Sequence, residues 1–336
     1  MNYPGDSKAS VPQSAAARSE RRAERTLGAL SSLVLVLITA MCLFVLVKAW
    51  PSFSHNGPMW FGWGGNVDDQ LTAIFNSPAN PAKWDYTIRT WPILYATAIL
   101  TIVSVAIGIV VSTLAAVFIV EFAPPSVKRV VSPVVRLLAA VPSVIYGLIG
   151  ILVLVPFVGN HLIGEGRKNS VTFVVQLSGA SLGVAVVILT LMITPIMIAI
   201  IADALRGVPN GWKEGALALG ANRWRVMWTV VVRSARPAIV AAAVIAAARA
   251  IGEGIMLAMV SGSVGFAPNP LDGITFVFEP LRPYAATIVD NAEGLSVKPF
   301  GQTIYAMAAV LLFASLMLSL GGTLAKRPLR KYGVRL

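Results

Sequence analysis

An arginine and a glutamate lie four residues apart within a long apolar segment of this 336-residue chain. They are Arg249 and Glu253, and in a continuous helix their side chains would share one face. A lone arginine near the centre of a bilayer costs about 2.5–3.5 kcal/mol on insertion scales, so it must face protein or water. The carboxylate could neutralise it permanently, as a structural ion pair, or could give way to an anion in transit. Both interpretations fit the spacing.

A second polar feature is the segment LLAAVPSVIYGLIGILVLVPF, residues 137–157. Pro142 removes a backbone donor, and Ser143 and Tyr146 add hydroxyl groups at the same place. A helix that is interrupted within the membrane presents half-helix ends, whose free amides attract anions. The segment therefore predicts either a substrate path that includes Ser143 and Tyr146 or a purely structural proline kink.

A third feature is a polar segment, residues 203–236, which separates two apolar segments and carries six positive charges. Gly220 divides it into two predicted helices, which Asn210 and Asn222 can cap. Trp224 and its apolar neighbours lie on the second helix. The small residues of the first helix and the aromatic surface of the second suit insertion into the cleft of a partner protein. An amphipathic loop on the membrane surface is the alternative interpretation.

The composition indicates a membrane protein, because 56% of the residues are hydrophobic, only 12% are charged and the mean hydropathy is +0.75. Six apolar segments reach the roughly 20 residues that a helix needs to cross a bilayer. They lie at about 27–49, 93–120, 137–158, 182–201, 238–260 and 303–324. We therefore predict an all-α polytopic membrane protein with a transmembrane domain at 27–324.

The positive charges are distributed unevenly between the two sides of the predicted membrane domain. If the N-terminus is cytoplasmic, the inner segments hold 19 of the 27 Lys and Arg residues. This asymmetry predicts that the basic tails 1–26 and 325–336 and the polar segment 203–236 are all cytoplasmic. Topology thus accounts for the net charge of +12 without nucleic acid as a partner.

Several kinds of catalytic site are disfavoured by the residues present. Cys42 is the single cysteine and lies in an apolar segment, while His55 and His161 fall in separate loops, so the sequence predicts no metal site. The chain contains no Gly-Lys dipeptide and hence no Walker-type phosphate loop. We expect no catalytic residues and no cofactor in this chain. If ATP is used, another subunit must hydrolyse it.

The polar segment resembles the EAA loop of bacterial ABC importer permeases, EAA-x3-G-x9-I-x-L-P. Glu214, Ala216 and Gly220 match the E, the second A and the G of that motif. Gly215 replaces the first alanine and Arg233 replaces the final proline. The resemblance implies a type I ABC importer permease fold in which this segment is the coupling helix that docks on the ATPase.

Two further strings are similar to the permeases of phosphate importers. PSVIYG at 142–147 resembles PSVVYG, and RAIGE at 249–253 resembles RALGE, in which the arginine and the glutamate are associated with phosphate passage. FGW at 61–63 and VEFAPP at 120–125 occur in the family order. Gly254 stands where the family usually has threonine. The chain most resembles the C-type permeases of Pst phosphate uptake systems.

The resemblance implies a permease in the bacterial plasma membrane that works by alternating access. It would pair with a related permease as a heterodimer, carry two ATPase subunits that bind ATP and Mg²⁺, and receive phosphate from an external binding protein. Its substrate path would include Arg249 and Glu253. The alternatives are a permease for another oxyanion, such as sulfate or molybdate, a secondary transporter that works without ATP and, more remotely, a membrane-embedded enzyme.

Overall fold

A computed structural model describes residues 13–78, 80–171 and 176–329 of the chain. Within these ranges the secondary structure is helical. The α-helices, numbered α1 to α14 in chain order, are Gln13–Asn56, Val67–Phe75, Trp91–Val117, Pro125–Ala139, Ser143–Ile149, Val155–Phe157, Glu165–Val171, Leu182–Arg206, Asn210–Ala218, Arg223–Val226, Val232–Ile251, Ile255–Val260, Tyr284–Asp290 and Phe300–Leu329. The π-helical turns Phe118–Phe122, Gly150–Leu154, Val158–Leu162 and Met227–Val231 join or extend several of them. Short 3₁₀ helices lie at Gly57–Phe61, Pro81–Lys83, Pro270–Phe278 and Ala292–Ser296.

Six helical segments among the described residues are long and apolar enough to cross a membrane, as the sequence predicted. They are Glu24–Phe61, Trp91–Phe122, Ser143–Leu162, Leu182–Arg206, Arg223–Ile251 and Phe300–Leu324. Most of the large apolar side chains on α1 are exposed. By contrast, about two thirds of the residues in the most apolar part of α8 are buried. The fourth span is therefore the centre of the bundle, and the first span is at its edge.

The first span differs from the prediction at both ends. The helix α1 begins at Gln13 and continues through Pro51 to Asn56, so part of the basic tail that we predicted at 1–26 is continuous with the span. Residues 1–12 of that tail and residues 330–336 of the predicted C-terminal tail lie outside the described residues.

The third span begins at Ser143 and not near residue 137. The preceding residues form a separate helix, α4, which ends at Ala139. Pro142 has an extended conformation (φ −58°, ψ 138°) and precedes the first turn of α5, a position where its missing N–H costs nothing. The predicted helix interruption therefore exists, but it separates an amphipathic helix from the span.

The fifth span, Arg223–Ile251, lies earlier in the chain than the predicted 238–260, and a break follows it. The helix α11 ends at Ile251, and α12 begins only at Ile255. Gly254 lies within the interruption and contacts α13 so closely that a Cβ there would be 2.7 Å from the Ala285 carbonyl oxygen. Close packing against α13 thus accompanies the end of the predicted continuous helix.

The second and fourth spans, α3 and α8, form a tightly packed parallel pair. Ser104 Oγ donates to the Val186 carbonyl (3.4 Å) and Ser112 Oγ to the Thr194 carbonyl (3.2 Å). Gly108 lies between these two hydrogen bonds and faces α8, where a Cβ would be in ordinary contact, at 3.4 Å, with the side chains of Ile193 and Met197. The fifth span, α11, packs against both members of the pair.

The last span, α14, packs against α1 and α11. Its contact with α11 depends on Gly322, because a Cβ at this position would lie 2.6 Å from both γ-carbons of Val244. The preceding Gly321 faces open space. Of these two adjacent glycines, Gly322 is therefore tightly packed, whereas Gly321 has room for a side chain.

We expect Gly322→Ala to lower the stability of the protein by about 1–3 kcal/mol, because the stiff Val244 side chain cannot move aside without strain. Gly321→Ala is the matched control and should be neutral, or stabilising by up to about 1 kcal/mol through helix propensity. Thermal unfolding of both purified variants in detergent measures the difference. Equal melting temperatures would show that α11 and α14 are not packed as described.

Candidate functional site

Arg249 lies in the last turn of α11 and is half-buried. Among the described residues, no ion pair joins it to a carboxylate. The predicted pairing with Glu253 is therefore wrong, because α11 ends at Ile251 and the four-residue spacing no longer places both side chains on one helical face. The guanidinium is left with its charge available to another anion.

Glu253 has a different role in the structure. Its Oε1 accepts a hydrogen bond from the backbone N–H of Met256, at 3.2 Å. That amide belongs to the first turn of α12, whose free N–H groups and positive end favour a carboxylate. Glu253 thus caps α12. It lies in the break between α12 and α11, four positions after Arg249 in the chain.

Tyr146 connects the interruption before α5 to the surroundings of Arg249. Its hydroxyl donates to the carbonyl oxygen of Leu138, at 3.1 Å, and so bridges α5 and α4. It also lies within electrostatic range of the Arg249 guanidinium. Ser143, the first residue of α5, is half-buried on the same short helix.

Two glycines bring the third span and α12 together. A Cβ at Gly147 would be 2.8 Å from the Met259 sulfur, and one at Gly150 would be 2.5 Å from a γ-carbon of Val260. The helix α5 therefore packs directly against α12. As a result, the short helix that carries Ser143 and Tyr146 packs against α12, the helix that follows Arg249 after the break at the end of α11. A cation and hydroxyl groups near interrupted helices can attract and hold an oxyanion.

The polar segment forms two short helices, α9 and α10, as predicted. Pro209, and not Asn210, precedes the first turn of α9, and no side chain caps it. The prediction for Asn222 is confirmed, because its Oδ1 accepts from the Arg225 N–H at 2.7 Å. Gly220, between the two helices, has φ +82°, a left-handed conformation that glycine adopts without strain.

The outer surface of these two helices is rich in exposed apolar and aromatic side chains. Trp224 is 58% exposed and Leu219 is 91% exposed. Trp224 and Trp228 lie on one face, as predicted, with their ring centroids 5.5 Å apart. Glu214 is exposed on α9, whereas Ala216 is partly buried and packs against the core of the bundle. One face thus anchors the segment, and the other is free for a partner.

The structure contains a buried charge cluster, not predicted from the sequence, at the end of the α3–α8 pair that is opposite to the polar segment. The Arg282 side chain is only 7% exposed and donates to Asp68, with Asp290 3.9 Å away. Asp68 also accepts from the backbone N–H of Gly265, at 2.7 Å. This cluster ties α2 to the segment between α12 and α14. Local patterns could not reveal it, since Asp68 and Arg282 are 214 residues apart.

Glu279 lies in the same segment between α12 and α14 and is 4% exposed. Burial raises the pKa of its carboxyl above the ordinary value. The hydrogen bond from the backbone N–H of Asn269, at 2.8 Å, opposes that rise. Glu279 therefore takes up a proton at a higher pH than an exposed glutamate does.

Comparison with protein families supports the resemblance seen in the motifs. Residues 108–327 match the family described as "Binding-protein-dependent transport system inner membrane component". This match covers more than half of the chain and includes the third and fifth spans and the polar segment.

Individual relatives agree with this match. The chain is 34% identical over 256 residues to the "Probable ABC transporter permease protein YqgH" of Bacillus subtilis, covering 75% of each chain. It is 29% identical to the "Phosphate transport system permease protein PstC" of Xylella fastidiosa, covering 84% of this chain and 89% of that one. A solved bacterial alginate ABC transporter, in complex with its pentasaccharide-bound periplasmic protein, has a similar fold, with a TM-score of 0.58 at 15% identity, covering 94% of this chain and 99% of that one.

We expect Asp68→Asn to destabilise the protein by about 1–3 kcal/mol, because it leaves the buried Arg282 guanidinium without its main charged partner. The neighbouring Asp69 is exposed on the same helix, so Asp69→Asn should stay within about 0.5 kcal/mol of the wild type. Thermal unfolding compares the two. A tolerated Asp68→Asn would mean that Asp290 alone neutralises Arg282.

Proposed function

We propose that this chain carries inorganic phosphate across the membrane. It belongs to the family of binding-protein-dependent transport system inner membrane components, which are the permeases of ABC importers. The family is not catalytic, and a partner ATPase handles ATP. Such permeases pair with ATPase subunits and a periplasmic binding protein. In our proposal the full complex also contains a related permease as a heterodimer partner, and the binding protein delivers phosphate.

The observation that carries the proposal is the arginine without a fixed counter-ion. Arg249 is half-buried in the last turn of α11, next to the break before α12, and it forms no ion pair with a carboxylate among the described residues. A guanidinium binds phosphate oxygens with two parallel hydrogen bonds, and the Ser143 hydroxyl adds a donor suited to the same ligand. The Tyr146 hydroxyl becomes a further donor once it releases the Leu138 carbonyl. Glu253 shapes the site by holding the start of α12. Relatives that carry the name of phosphate permeases support the same substrate.

The polar segment 203–236 supplies the coupling in this proposal. Both termini and this segment are cytoplasmic, as the distribution of basic residues suggests. The exposed face of α9 and α10, with Glu214, Gly220 and Trp224, docks on the ATPase. Closure of the ATPase on ATP then moves this face, and the spans tilt so that Arg249 is exposed to alternate sides of the membrane.

Transport by the purified complex in vesicles, supplied with the binding protein and ATP, tests the substrate. We expect uptake of labelled phosphate that unlabelled phosphate suppresses and that sulfate and molybdate leave nearly unchanged. Stronger competition by sulfate or molybdate would assign the permease to another oxyanion. ATP-independent uptake would instead indicate a secondary transporter.

We expect Arg249→Gln to reduce phosphate uptake by about 30-fold or more, because the loss of a charged partner from a buried contact costs about 2–5 kcal/mol. The complex should still assemble, since Arg249 makes no ion pair with a described carboxylate. Arg129→Gln, on the exposed surface of α4, removes the same charge elsewhere and should retain uptake. Normal uptake by Arg249→Gln would remove this residue from the mechanism.

Gly220 tests the coupling role. A β-branched side chain at φ +82° strains the backbone by about 1–3 kcal/mol, so Gly220→Val should distort the docking face, release the ATPase and abolish uptake. Asparagine tolerates this conformation, so Gly220→Asn should retain most activity. Uptake and co-purification of the ATPase are measured for both variants. Phosphate uptake by Gly220→Val after the ATPase has been lost would contradict an ATP-driven mechanism.

A further inference from the structure

The end of the second span is attached to the polar segment by an ion pair. Lys213 of α9 donates to the Oε1 atom of Glu121, which lies in the π-helical turn that ends this span. The two side chains are 19% and 25% exposed, and the residues are 92 positions apart in sequence. They line a cleft of about 280 Å³ together with Leu217 and Arg223. This pair is more buried than the i,i+3 pairs of Glu165–Lys168 and Asp203–Arg206.

A ring contact joins the same end of the second span to the other helix of the polar segment. Phe122 and Trp224 have ring centroids 6.0 Å apart. Lys128 Nζ also donates to the carbonyl oxygen of Val120, at 2.6 Å, and holds the turn from the other side. Glu121 and Phe122 therefore contact both α9 and α10.

The helix α9 is joined to its neighbours in the chain by short linkers. Gly207 and Pro209 separate α9 from α8, and Gly220 separates it from α10. Ala216 also packs against the core of the bundle. The contact of Lys213 with Glu121 adds a charged attachment that reaches the end of the second span directly.

This attachment leads to a unit that is already stiff. The second span is α3 with its terminal turn, and hydrogen bonds from Ser104 and Ser112 lock α3 to α8. The polar segment follows α8 directly in the chain. These elements therefore form a continuous ring of contacts, from α8 through α9 to Glu121 and along α3 back to α8. The span α11, with Arg249, packs against both α3 and α8.

We propose that Lys213 and Glu121 are positioning residues whose ion pair transmits the movement of α9 to the α3–α8 pair, and thereby to the span that carries Arg249. This inference rests on the proposed function. Isolated surface ion pairs contribute little. This one is placed to act because it is mostly buried and joins two separate elements.

Charge reversal tests the pair in the intact complex with the binding protein. We expect Lys213→Glu and Glu121→Lys each to lower the phosphate transported per ATP hydrolysed by at least about tenfold, since like charges then face each other across the cleft. ATP should still be hydrolysed, because neither residue is in the ATPase. The double variant restores opposite charges and should recover transport per ATP to within about threefold of the wild type. Recovery separates transmission through this pair from a general loss of structure.

Lys168→Glu is the control, because it reverses a charge in an ion pair of α7, away from the polar segment, and should leave transport per ATP unchanged. Single variants that transport as much phosphate per ATP as the wild type would overturn the inference and leave the proposed function intact. A double variant that is as impaired as the single variants would also overturn the inference. This holds even if one of the single variants fails to assemble. A wild-type complex that carries no phosphate would overturn both.

Discussion

The structure depends on the requirement that backbone N–H and C=O groups be satisfied inside a bilayer, where water is absent. Non-helical residues nevertheless border two of the six spans, before Ser143 and after Ile251. At the first border the N–H groups of Ala140 and Val141 donate to carbonyl oxygens three residues earlier, although Ala140 is exposed. At the second border the Glu253 N–H donates to the Ala250 carbonyl. The requirement thus keeps the spans helical and leaves the non-helical backbone at their ends, where its amides find local partners.

Features with local causes could be predicted from the sequence. The six spans follow from apolar segments of sufficient length, and Asn222 caps α10 because an asparagine before a short helix satisfies a free amide. The shared face of Trp224 and Trp228 follows from helical spacing alone. Gly220 separates α9 from α10 because its left-handed conformation suits glycine. Each of these needs only residues that are near one another in the chain.

Features with tertiary causes could not be predicted. The pairing of Arg249 with Glu253 assumed a continuous helix, but α11 ends at a place where Gly254 lies against α13. Nothing near residue 254 in the sequence indicates that contact. Arg282 pairs with a residue 214 positions away, and Lys213 pairs with a residue 92 positions away. From the sequence alone, many other acidic residues could equally be their partners. The start of the third span was misplaced for a related reason, since the apolar residues before Pro142 belong to an amphipathic helix.

The placement of charge partners explains why a half-buried arginine can remain unpaired. Arg282 and Lys213, at opposite ends of the α3–α8 pair, have carboxylate partners that fix the connecting segments. Arg249, which lies in a span between those ends, has no such partner among the described residues. A permanent carboxylate there would stabilise the resting protein, but each anion would have to displace it, and the affinity for the anion would fall by the strength of that pair. In the proposed function, an unpaired guanidinium keeps this interaction energy for the cargo.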